Sequence, residues 1–333
     1  MALAKGVFLD LETVDRGDLD RSRLAASLPH WDWHAWTGGE EIATRISGAD
    51  VVVTNKCLLD LAALKGAGSL RLVVVAATGT NNVDLQTARA ARITVCNIRD
   101  YCTEAVAQHT MALMLNLLTG QPWYRDRVRH GDWSESRQFC LQDRPIREAR
   151  GLVFGVIGYG SLGRAVAAKA ASLGLDVLVA ERRGQPLRAG RSAFEEVLRR
   201  ADVLSIHCPL SEATRNLIGR EELLAMKPDA ILINTARGGI VQEQALADGL
   251  REGQIGGAGI DTLSEEPPPR DHPLLADDIP NLLLTPHNAW ASRSARQAAL
   301  DQMAAVIEAF AAGKPINVVS SGGELTDRGR TGA

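Results

Sequence analysis

The stretch that decides the fold is residues 152–163, LVFGVIGYGSLG. A strand pattern ends at Ile157, runs directly into a glycine turn, and is followed by a helix pattern through Leu173. In such a turn the first glycine allows the tight bend, the second lets the backbone approach a pyrophosphate, and the third lets the helix pack on the strand. The helix N-terminus then faces the phosphates. The stretch predicts a dinucleotide site formed by Gly158, Tyr159, Gly160, Ser161, Leu162 and Gly163.

The next strand pattern, 175–180, ends at Glu181, which follows Gly163 by 18 residues. In this fold a carboxylate at that position binds the ribose hydroxyls. Because it would repel a 2′-phosphate, Glu181 favours NAD over NADP, and a solvated charge at a strand end is the simpler alternative. Arg182 and Arg183 follow, and a guanidinium pairs well with a phosphate. NADP therefore stays open as a secondary cofactor.

Short apolar runs of the same kind alternate with helix patterns along the chain. Such runs are apolar on both faces when helices cover both sides of a parallel sheet, and the intervening segments are long enough for right-handed crossovers. The pattern predicts the α/β class with doubly wound parallel sheets. The predicted strands other than the two above are 6–11, 51–54, 70–77, 93–97, 203–208, 230–234, 257–261 and 282–285.

Length and composition limit the number of domains and the kinds of partner. The chain has 333 residues, more than the roughly 250 to 300 at which single cores stop growing, so two domains are expected. It is 45% hydrophobic and 23% charged, with a formal net charge of −3. This balance gives no electrostatic reason to bind nucleic acid or anionic lipid. We therefore expect small-molecule partners, with no nucleic acid and no membrane.

The apolar runs, the first ten residues and the cysteines bear on location and metal binding. No apolar run approaches the roughly 20 residues that span a bilayer, and residues 1–10 lack the pattern of a secretory signal. A cytoplasmic location is the expectation. The cysteines are odd in number and scattered, so they fit neither a disulfide framework nor zinc-ligand spacing. We expect buried thiols and no metal site; the cysteines are Cys57, Cys96, Cys102, Cys140 and Cys208.

Predicted strands are absent between residues 101 and 150. A long apolar helix pattern, 103–118, is followed there by a polar stretch that contains Trp and Arg residues. The segment 103–150 is predicted to connect two α/β units. The last helix pattern, 292–312, precedes a tail rich in Gly, Ser and Thr, 320–333, which we expect to be flexible.

Three ionisable residues after predicted strands suit the reduction of a 2-keto acid. That reaction needs a cation to hold the carboxylate and polarise the carbonyl, and an acid to protonate its oxygen. Arg237 follows the strand 230–234, and its planar guanidinium fits a carboxylate. His287 follows the strand 282–285 and carries a proton that is transferable near neutrality. Glu266 could bond the other imidazole nitrogen and favour the imidazolium.

Each of these residues has an ordinary alternative on its own: a surface ion pair for the Arg, a satisfied polar group for the His, and a solvated charge for the Glu. Their joint position after strands, downstream of a dinucleotide turn, favours catalysis, because ligands of open α/β sheets bind at the carboxyl ends of the strands. Glu265 is adjacent to Glu266, and the spacing to Pro267 favours Glu266 as the partner of the imidazole.

These motifs together resemble the D-isomer-specific 2-hydroxyacid dehydrogenase family over nearly the whole chain. The resemblance implies NAD-dependent hydride transfer, with Arg237 binding the substrate, His287 as acid and base, and Glu266 as its partner. It is carried by residues 158–163, 226–239, 261–267 and 285–289.

The resemblance also implies a domain organisation. A Rossmann NAD-binding domain would comprise residues 102–287, including the connector. A smaller, flavodoxin-like substrate domain would be discontinuous, built from residues 1–101 and completed by 288–333, the C-terminal helix and the tail. The family is usually dimeric through the connector. The helix pattern 103–118, with Trp123, Trp133 and Phe139, is therefore the predicted homodimer interface.

Within the family the likeness is greatest to bacterial glycerate dehydrogenases, also called hydroxypyruvate reductases, and it rests on residues 77–84, 181–184 and 289–292. Interconversion of hydroxypyruvate and D-glycerate is therefore the expected reaction. Thr78 and Gly79, in a turn after a strand, and Lys56 would contact the substrate. The residues implied to line the cofactor, besides the glycine turn with Glu181 and Arg182, are Val106, Cys208, Pro209, Thr235, Ala236 and Asp261.

Two further histidines, His207 and His109, have no assigned catalytic role. His207 also follows a strand, and the resemblance places it beside the cofactor without a catalytic role. His109 follows Gln108, where many members of the family have Glu, so no charge role is assigned there.

Other functions stay open. A glyoxylate or broad 2-keto acid reductase would use the same residues. Phosphoglycerate oxidation is not expected, because the chain ends near its last helix pattern. A dinucleotide-sensing corepressor or scaffold on the same fold is the alternative from another class, since fold alone does not determine function.

Overall fold

The computed structural model describes residues 3–321 and contains two six-stranded sheets. The strands are β1 Lys5–Phe8, β2 His30–Trp33, β3 Val51–Thr54, β4 Leu72–Val75, β5 Thr94–Asn97, β6 Val153–Ile157, β7 Asp176–Val179, β8 Val203–Ile206, β9 Ile231–Asn234, β10 Gly257–Ile260, β11 Leu282–Leu284 and β12 Val318–Ser320. The α-helices are α1 Ser22–Ala26, α2 Ile42–Ile46, α3 Leu61–Lys65, α4 Leu85–Ala90, α5 Thr103–Thr119, α6 Gln121–His130, α7 Ser161–Ser172, α8 Phe194–Arg200, α9 Arg220–Ala225, α10 Glu243–Arg251 and α11 Arg293–Ala311.

The chain divides into two compact units. Unit 1 comprises Met1–Cys102 with Ala291–Ala333, and unit 2 comprises Thr103–Trp290. Each unit contains one of the two sheets. The assignment of substrate and cofactor domains to residues 1–101, 102–287 and 288–333 stays a prediction.

The sheet of unit 1 has the order β2-β1-β3-β4-β5-β12, and its first five strands follow the doubly wound order of flavodoxin-like folds. Two strands were missed. β2 lies at one edge with alternating exposed and half-buried residues, and β12 has only three residues at the other edge, so neither forms an apolar run. The predicted doubly wound parallel sheet is confirmed for β1 to β5, and β12 adds one antiparallel edge strand beside β5.

β12 also corrects the predicted start of the flexible tail. Ser320 is its last residue and is buried, so this residue is part of the sheet. Residues 322–333 of the predicted tail lie outside the described residues.

The sheet of unit 2 is entirely parallel, with the order β7-β6-β8-β9-β10-β11. The chain leaves β6 for β7 on one side and then crosses to β8 on the other side of β6. This reversal places a crevice at the carboxyl ends of β6 and β8, where α/β sheets of this kind bind ligands. The glycine turn follows β6 directly, so it lies at the crevice.

Helix α5 is covered by its own unit. Eight of its residues are buried, and its apolar side packs with α7 and the strands of unit 2. Gly259 of β10 allows this close packing, since a Cβ there would lie 3.0 Å from the Leu113 side chain. The prediction that this helix offers its apolar side to a partner is therefore wrong for the buried residues. Among residues 3–321, no helix combines the length and apolar character needed to cross a membrane.

The prediction of buried thiols holds for one cysteine. Cys96 is buried, and Cys57, Cys102, Cys140 and Cys208 are partly exposed because they lie in loops or at element ends. All five are free thiols. Burial of the Cys96 side chain raises its pKa to about 12.

Candidate active site

The glycine turn has the shape that a pyrophosphate requires. Gly158 has a φ of +88°, and a Cβ on it would lie 2.6 Å from the backbone nitrogen of Cys208. A Cβ on Gly163 would overlap the carbonyl oxygen of Gly158. A Cβ on Gly160 would meet nothing within 4 Å, so the space beside the N-terminus of α7 is open. This space fits a dinucleotide phosphate, and Tyr159, Ser161 and Leu162 complete the turn.

Glu181 follows β7 and forms an ion pair with Arg188, which the sequence analysis did not predict. Its Oε2 accepts from Arg188 Nε and its Oε1 from Arg188 Nη2, both at 2.6 Å. The Arg182 N–H also donates to Oε1, at 2.9 Å. The hydrogen bonds from Arg188 and from the Arg182 N–H lower the pKa of Glu181 to about 2. Arg183 instead pairs with Glu195 and Glu222.

Beside the turn, β8 is followed by His207, Cys208 and Pro209. The His207 Nε2 lies 2.8 Å from Ser205 Oγ, and its buried Nδ1 has no partner among the described residues. Burial lowers the pKa of His207 to about 3, so the ring is neutral at physiological pH. Burial also raises the pKa of the Cys208 thiol to about 11. Neither group suits proton exchange with a substrate near neutrality.

Arg237 lies in a tight loop after β9. The Asn234 side chain shapes this loop, because its Nδ2 donates to the Arg237 carbonyl and its Oδ1 accepts from the Ala236 N–H, at 2.9 and 3.0 Å. Arg237 Nη1 donates to the Ala236 carbonyl at 2.7 Å. A guanidinium has four further N–H groups, so it can still hold a carboxylate.

His287 and Glu266 are in direct contact. His287 Nδ1 lies 2.6 Å from Glu266 Oε2, and the other Glu266 oxygen accepts from the Leu263 N–H at 2.9 Å. An ionised carboxylate only accepts hydrogen bonds, so Nδ1 carries a proton and donates it. Nε2 is then the position for the proton that is exchanged with a substrate. The side chains are 26% and 31% exposed, which leaves this position accessible.

The backbone at His287 is in the left-handed region, with a φ of +49°. A residue with a Cβ pays about 1 kcal/mol or more for this conformation. It is held by the His287 N–H, which donates to the Asp261 and Thr285 carbonyls at 2.8 and 3.0 Å. The strained backbone directs the imidazole from the end of β11 towards Glu266.

A hydrogen-bond chain joins β10, β11 and α5 behind this histidine. Thr285 Oγ1 donates to Asp261 Oδ1 at 2.6 Å, so it must accept from His109 Nε2, 3.0 Å away. The buried Asp261 carboxylate also accepts from the N–H groups of Asn288 and Ala289 at 3.1 Å. Asp261 therefore fixes the loop that carries His287. The sequence analysis did not predict that Thr285 and His109 form a hydrogen-bond chain with Asp261.

Thr110 of α5 connects two further predicted cofactor residues, Val106 of the same helix and Thr235 after β9. Thr110 Oγ1 donates to the Val106 carbonyl at 2.8 Å and lies 3.0 Å from Thr235 Oγ1, so Thr235 donates to Thr110. Val106, Thr235 and Ala236 are all buried at this edge of unit 2.

The predicted substrate residues lie in two neighbouring loops of unit 1. Lys56 follows β3, and Thr78 and Gly79 follow β4. Asp10, which the sequence analysis missed although it follows β1, accepts from the Lys56 N–H at 2.6 Å and from the Asn55 N–H at 2.9 Å. The loops are joined by Asn82 Nδ2, which donates to the Cys57 carbonyl at 3.0 Å. Unit 1 thus presents a polar loop pair at the carboxyl edge of its sheet.

The chain is similar in sequence to known proteins along most of its length. The family model "D-isomer specific 2-hydroxyacid dehydrogenase, NAD binding domain" matches residues 111–289. Glycerate dehydrogenase of Methylorubrum extorquens is 44% identical over 92% of this chain and 98% of its own length. Hydroxypyruvate reductase of Blautia hydrogenotrophica is 35% identical over 95% of this chain and 99% of its own length.

A solved structure is similar to this chain over most of its length. The TT0316 protein from Thermus thermophilus superposes with a TM-score of 0.82 at 32% identity, covering 95% of this chain and 99% of that one. The matched range, residues 111–289, spans the glycine turn, the loop of Arg237, Glu266 and His287. The chain belongs to the D-isomer specific 2-hydroxyacid dehydrogenase family and is an NAD-dependent oxidoreductase.

Proposed function

We propose that this protein interconverts hydroxypyruvate and D-glycerate, with Arg237, Glu266 and His287 as its catalytic residues. The observation that carries the proposal is the contact of 2.6 Å between His287 Nδ1 and Glu266. It leaves Nε2 as the proton donor and acceptor at the carboxyl edge of the unit 2 sheet. The two relatives named for glycerate and hydroxypyruvate support the choice of substrate.

The chemistry divides between cofactor and side chains. NADH, when bound, supplies the hydride that reaches the C2 carbon of the keto acid. His287 Nε2 releases its proton to the C2 oxygen, so the carbonyl gains H⁻ and H⁺ and becomes the alcohol. Glu266 stabilises the imidazolium before the transfer and keeps the ring oriented. In oxidation His287 takes the proton back.

Arg237 binds and polarises the substrate in this proposal. Its planar guanidinium binds the substrate carboxylate and polarises the adjacent carbonyl oxygen. We propose that Lys56, Thr78 and Gly79 add donors for the carboxylate. A glycine turn after a strand can present its N–H groups to an anion.

The test is NADH oxidation followed by absorbance, with hydroxypyruvate, glyoxylate, pyruvate and 3-phosphohydroxypyruvate as substrates. The largest kcat/KM is expected with hydroxypyruvate. A larger value with glyoxylate would favour the broad 2-keto acid reductase. If none of the four is reduced by folded protein that binds NADH, a sensing role becomes the better interpretation.

NADP is proposed as a secondary cofactor beside NAD. The Glu181 carboxylate supports NAD, because it can accept hydrogen bonds from both ribose hydroxyls. The bidentate contact from Arg188 supports residual NADP use, since it offsets the charge that would repel a 2′-phosphate.

We propose a homodimer formed through α6 and the segment that follows it. Four apolar side chains there are exposed to solvent: Val128, Trp133, Phe139 and Ile146. Phe139 is 90% exposed, and apolar surface of this kind is typical of a contact surface. Light scattering at micromolar concentration should give the mass of a dimer, and Phe139→Asp should give a monomer. Leu224→Asp, at another exposed site of unit 2, is the matched control.

We also propose a role for each domain and a location in the cell. Residues 102–287 would bind NAD, and 1–101 with 288–333 would bind the acid. The division into two units and the position of the family match support these roles. The five free thiols support a reducing compartment such as the cytoplasm.

A further inference from the structure

A buried contact between another histidine and another glutamate lies beside the loop that carries Glu266. His272 Nε2 is 3.0 Å from Glu243 Oε2, and the two side chains are only 5% and 14% exposed. Glu243 is the first residue of α10. His272 precedes the short 3₁₀ helix Pro273–Leu275. The reaction proposed above uses neither residue.

The hydrogen bonds fix the protonation of this contact. The Leu274 N–H donates to His272 Nδ1 at 3.2 Å, so Nδ1 is an acceptor and carries no proton. The proton is therefore on Nε2, and it points at Glu243. The imidazole is held in one tautomer by a backbone group on one side and a carboxylate on the other.

Glu243 in turn holds the loop that carries Glu266. Its Oε1 accepts from the Ser264 N–H at 2.7 Å, and its Oε2 accepts from the Ser264 hydroxyl at 2.6 Å. The preceding N–H in the loop, that of Leu263, donates to Glu266 itself at 2.9 Å. Two carboxylates thus bind consecutive N–H groups, and Glu266 is fixed relative to the first turn of α10.

The same loop contacts the residue after Arg237. A Cβ on Gly238 would overlap the carbonyl group of Leu263, so the two backbone segments are in direct contact. Glu243 begins α10 five residues further along the chain. The hydrogen bonds from Ser264 to Glu243 therefore close a ring of contacts that includes the loops of Arg237 and Glu266.

We propose that Glu243, Ser264 and His272 are positioning residues for Glu266, and through it for the His287 imidazole. This inference rests on the proposed function, because it assigns them to the acid and base of that reaction. Around metal sites, groups that orient a ligating side chain change affinity or activity by about 10 to 100-fold when they are mutated, and we expect an effect of this order for the orientation of Glu266.

The experiment compares Glu243→Gln and Ser264→Ala with Glu266→Gln, and records the pH profile of kcat for keto acid reduction. When Glu266 is removed or no longer held in place, it stabilises the protonated form of His287 less. The decline of kcat at high pH should therefore move to lower pH in all three variants. kcat at its plateau should fall about 10-fold for Glu243→Gln, with the Kd of NADH unchanged. The other ionisable groups at this edge, Arg237, Asp261 and His109, are the same in all variants.

Controls separate positioning from general loss of structure. Glu252→Gln removes an exposed ion pair with Arg220 at the other end of α10 and should leave the pH profile unchanged. His272→Gln keeps an N–H donor for Glu243 and should retain more activity than His272→Leu at equal Tm. A uniform loss of activity that follows Tm, without a shift of the profile, would overturn the inference.

The two proposals can fail separately. A shifted profile for Glu266→Gln with an unchanged profile for Glu243→Gln and Ser264→Ala would overturn the positioning role and leave the catalytic one intact. An unchanged profile for Glu266→Gln itself would overturn the proposed partnership with His287, and the positioning role with it.

Discussion

Both carboxylate oxygens of Glu181 accept hydrogen bonds of 2.6 Å from Arg188, seven residues later in the chain. The Glu181 side chain is 3% exposed and the Arg188 side chain 63% exposed. Glu181, whose carboxylate is proposed to bind the cofactor ribose, is thus covered by the Arg188 guanidinium, and the Arg188 side chain is itself exposed to solvent. A cofactor that binds Glu181 must share it with Arg188 or displace that side chain.

Removing this guanidinium should sharpen the preference for NAD. In Arg188→Gln the Glu181 charge is no longer offset, and it repels a 2′-phosphate. We expect kcat/KM for NADPH to fall about 10-fold, equivalent to about 1.4 kcal/mol, while the value for NADH is unchanged or higher. Glu181→Gln should change the ratio in the opposite direction. Initial rates with both cofactors measure this.

The control for that comparison is Arg183→Gln. Arg183 is engaged by Glu195 and Glu222, so its removal should leave the ratio of NADPH to NADH unchanged. An unchanged ratio in Arg188→Gln would contradict the specificity role.

Two substitutions in the glycine turn should have different effects, one on stability and the other on NADH binding. Gly163→Ala places a Cβ against the Gly158 carbonyl oxygen and should lower the free energy of unfolding by about 1 to 3 kcal/mol. Gly160→Ala meets no protein atom within 4 Å and should unfold like the native protein. It should nevertheless weaken NADH binding, measured by fluorescence titration, because the methyl group fills the space of the phosphates. Equal NADH affinity for Gly160→Ala and the native protein would show that the pyrophosphate binds elsewhere.

His287→Ala should affect chemistry and leave cofactor binding intact. The variant loses the proton donor, which is worth about 10² to 10⁴-fold in rate. We expect kcat to fall by that factor while the Kd of NADH changes less than about 2-fold. A parallel loss in kcat and NADH affinity would instead assign His287 to the cofactor site.

Arg237→Lys should lower both binding and turnover. An ammonium keeps the charge and loses the planar pair of donors. Hydrogen bonds to charged groups contribute about 1.5 to 3 kcal/mol, so kcat/KM for the keto acid should fall about 10 to 100-fold, with a raised KM. Steady-state kinetics with hydroxypyruvate test this, and an unaltered KM would show that another residue binds the carboxylate.

The depressed pKa of His207, about 3, predicts acid sensitivity. An unfolded His titrates near 6.5, so the unfolded chain takes up a proton that the folded chain does not. Stability is therefore complete above about pH 6.5 and falls as the pH drops towards 3, by at most about 1.4 kcal/mol per pH unit.

Urea unfolding at pH 7.5, 5.5 and 4.5 measures this loss. His207→Gln should show a shallower decline of the free energy of unfolding between these pH values. His130→Gln, at an exposed position of the same unit, is the control and should follow the native protein. Identical slopes for the native protein and His207→Gln would contradict the linkage.

Local sequence determined the fold class and most of the site. The apolar runs gave ten of the strands at nearly their observed positions, because a strand buried on both faces must be apolar throughout. The three glycines of the turn could also be recognised from local sequence. Each occupies a position where a Cβ is not tolerated: the tight bend, the approach of the backbone to the pyrophosphate, and the contact of helix with strand. The three proposed catalytic residues could be selected because each follows a strand, and carboxyl ends of parallel strands share one edge.

The tertiary structure decided which groups meet across long separations in the chain. Glu181 with Arg188, and Glu243 with Ser264 and His272, have no sequence signal, because hydrogen-bond partners are chosen by packing. The edge strands β2 and β12 were missed because an edge strand need not be apolar. Helix α5 was taken for an interface because its apolar pattern cannot distinguish a partner chain from the core of its own unit. Burial depends on which surfaces the fold brings together, and this is settled only when the whole chain has packed.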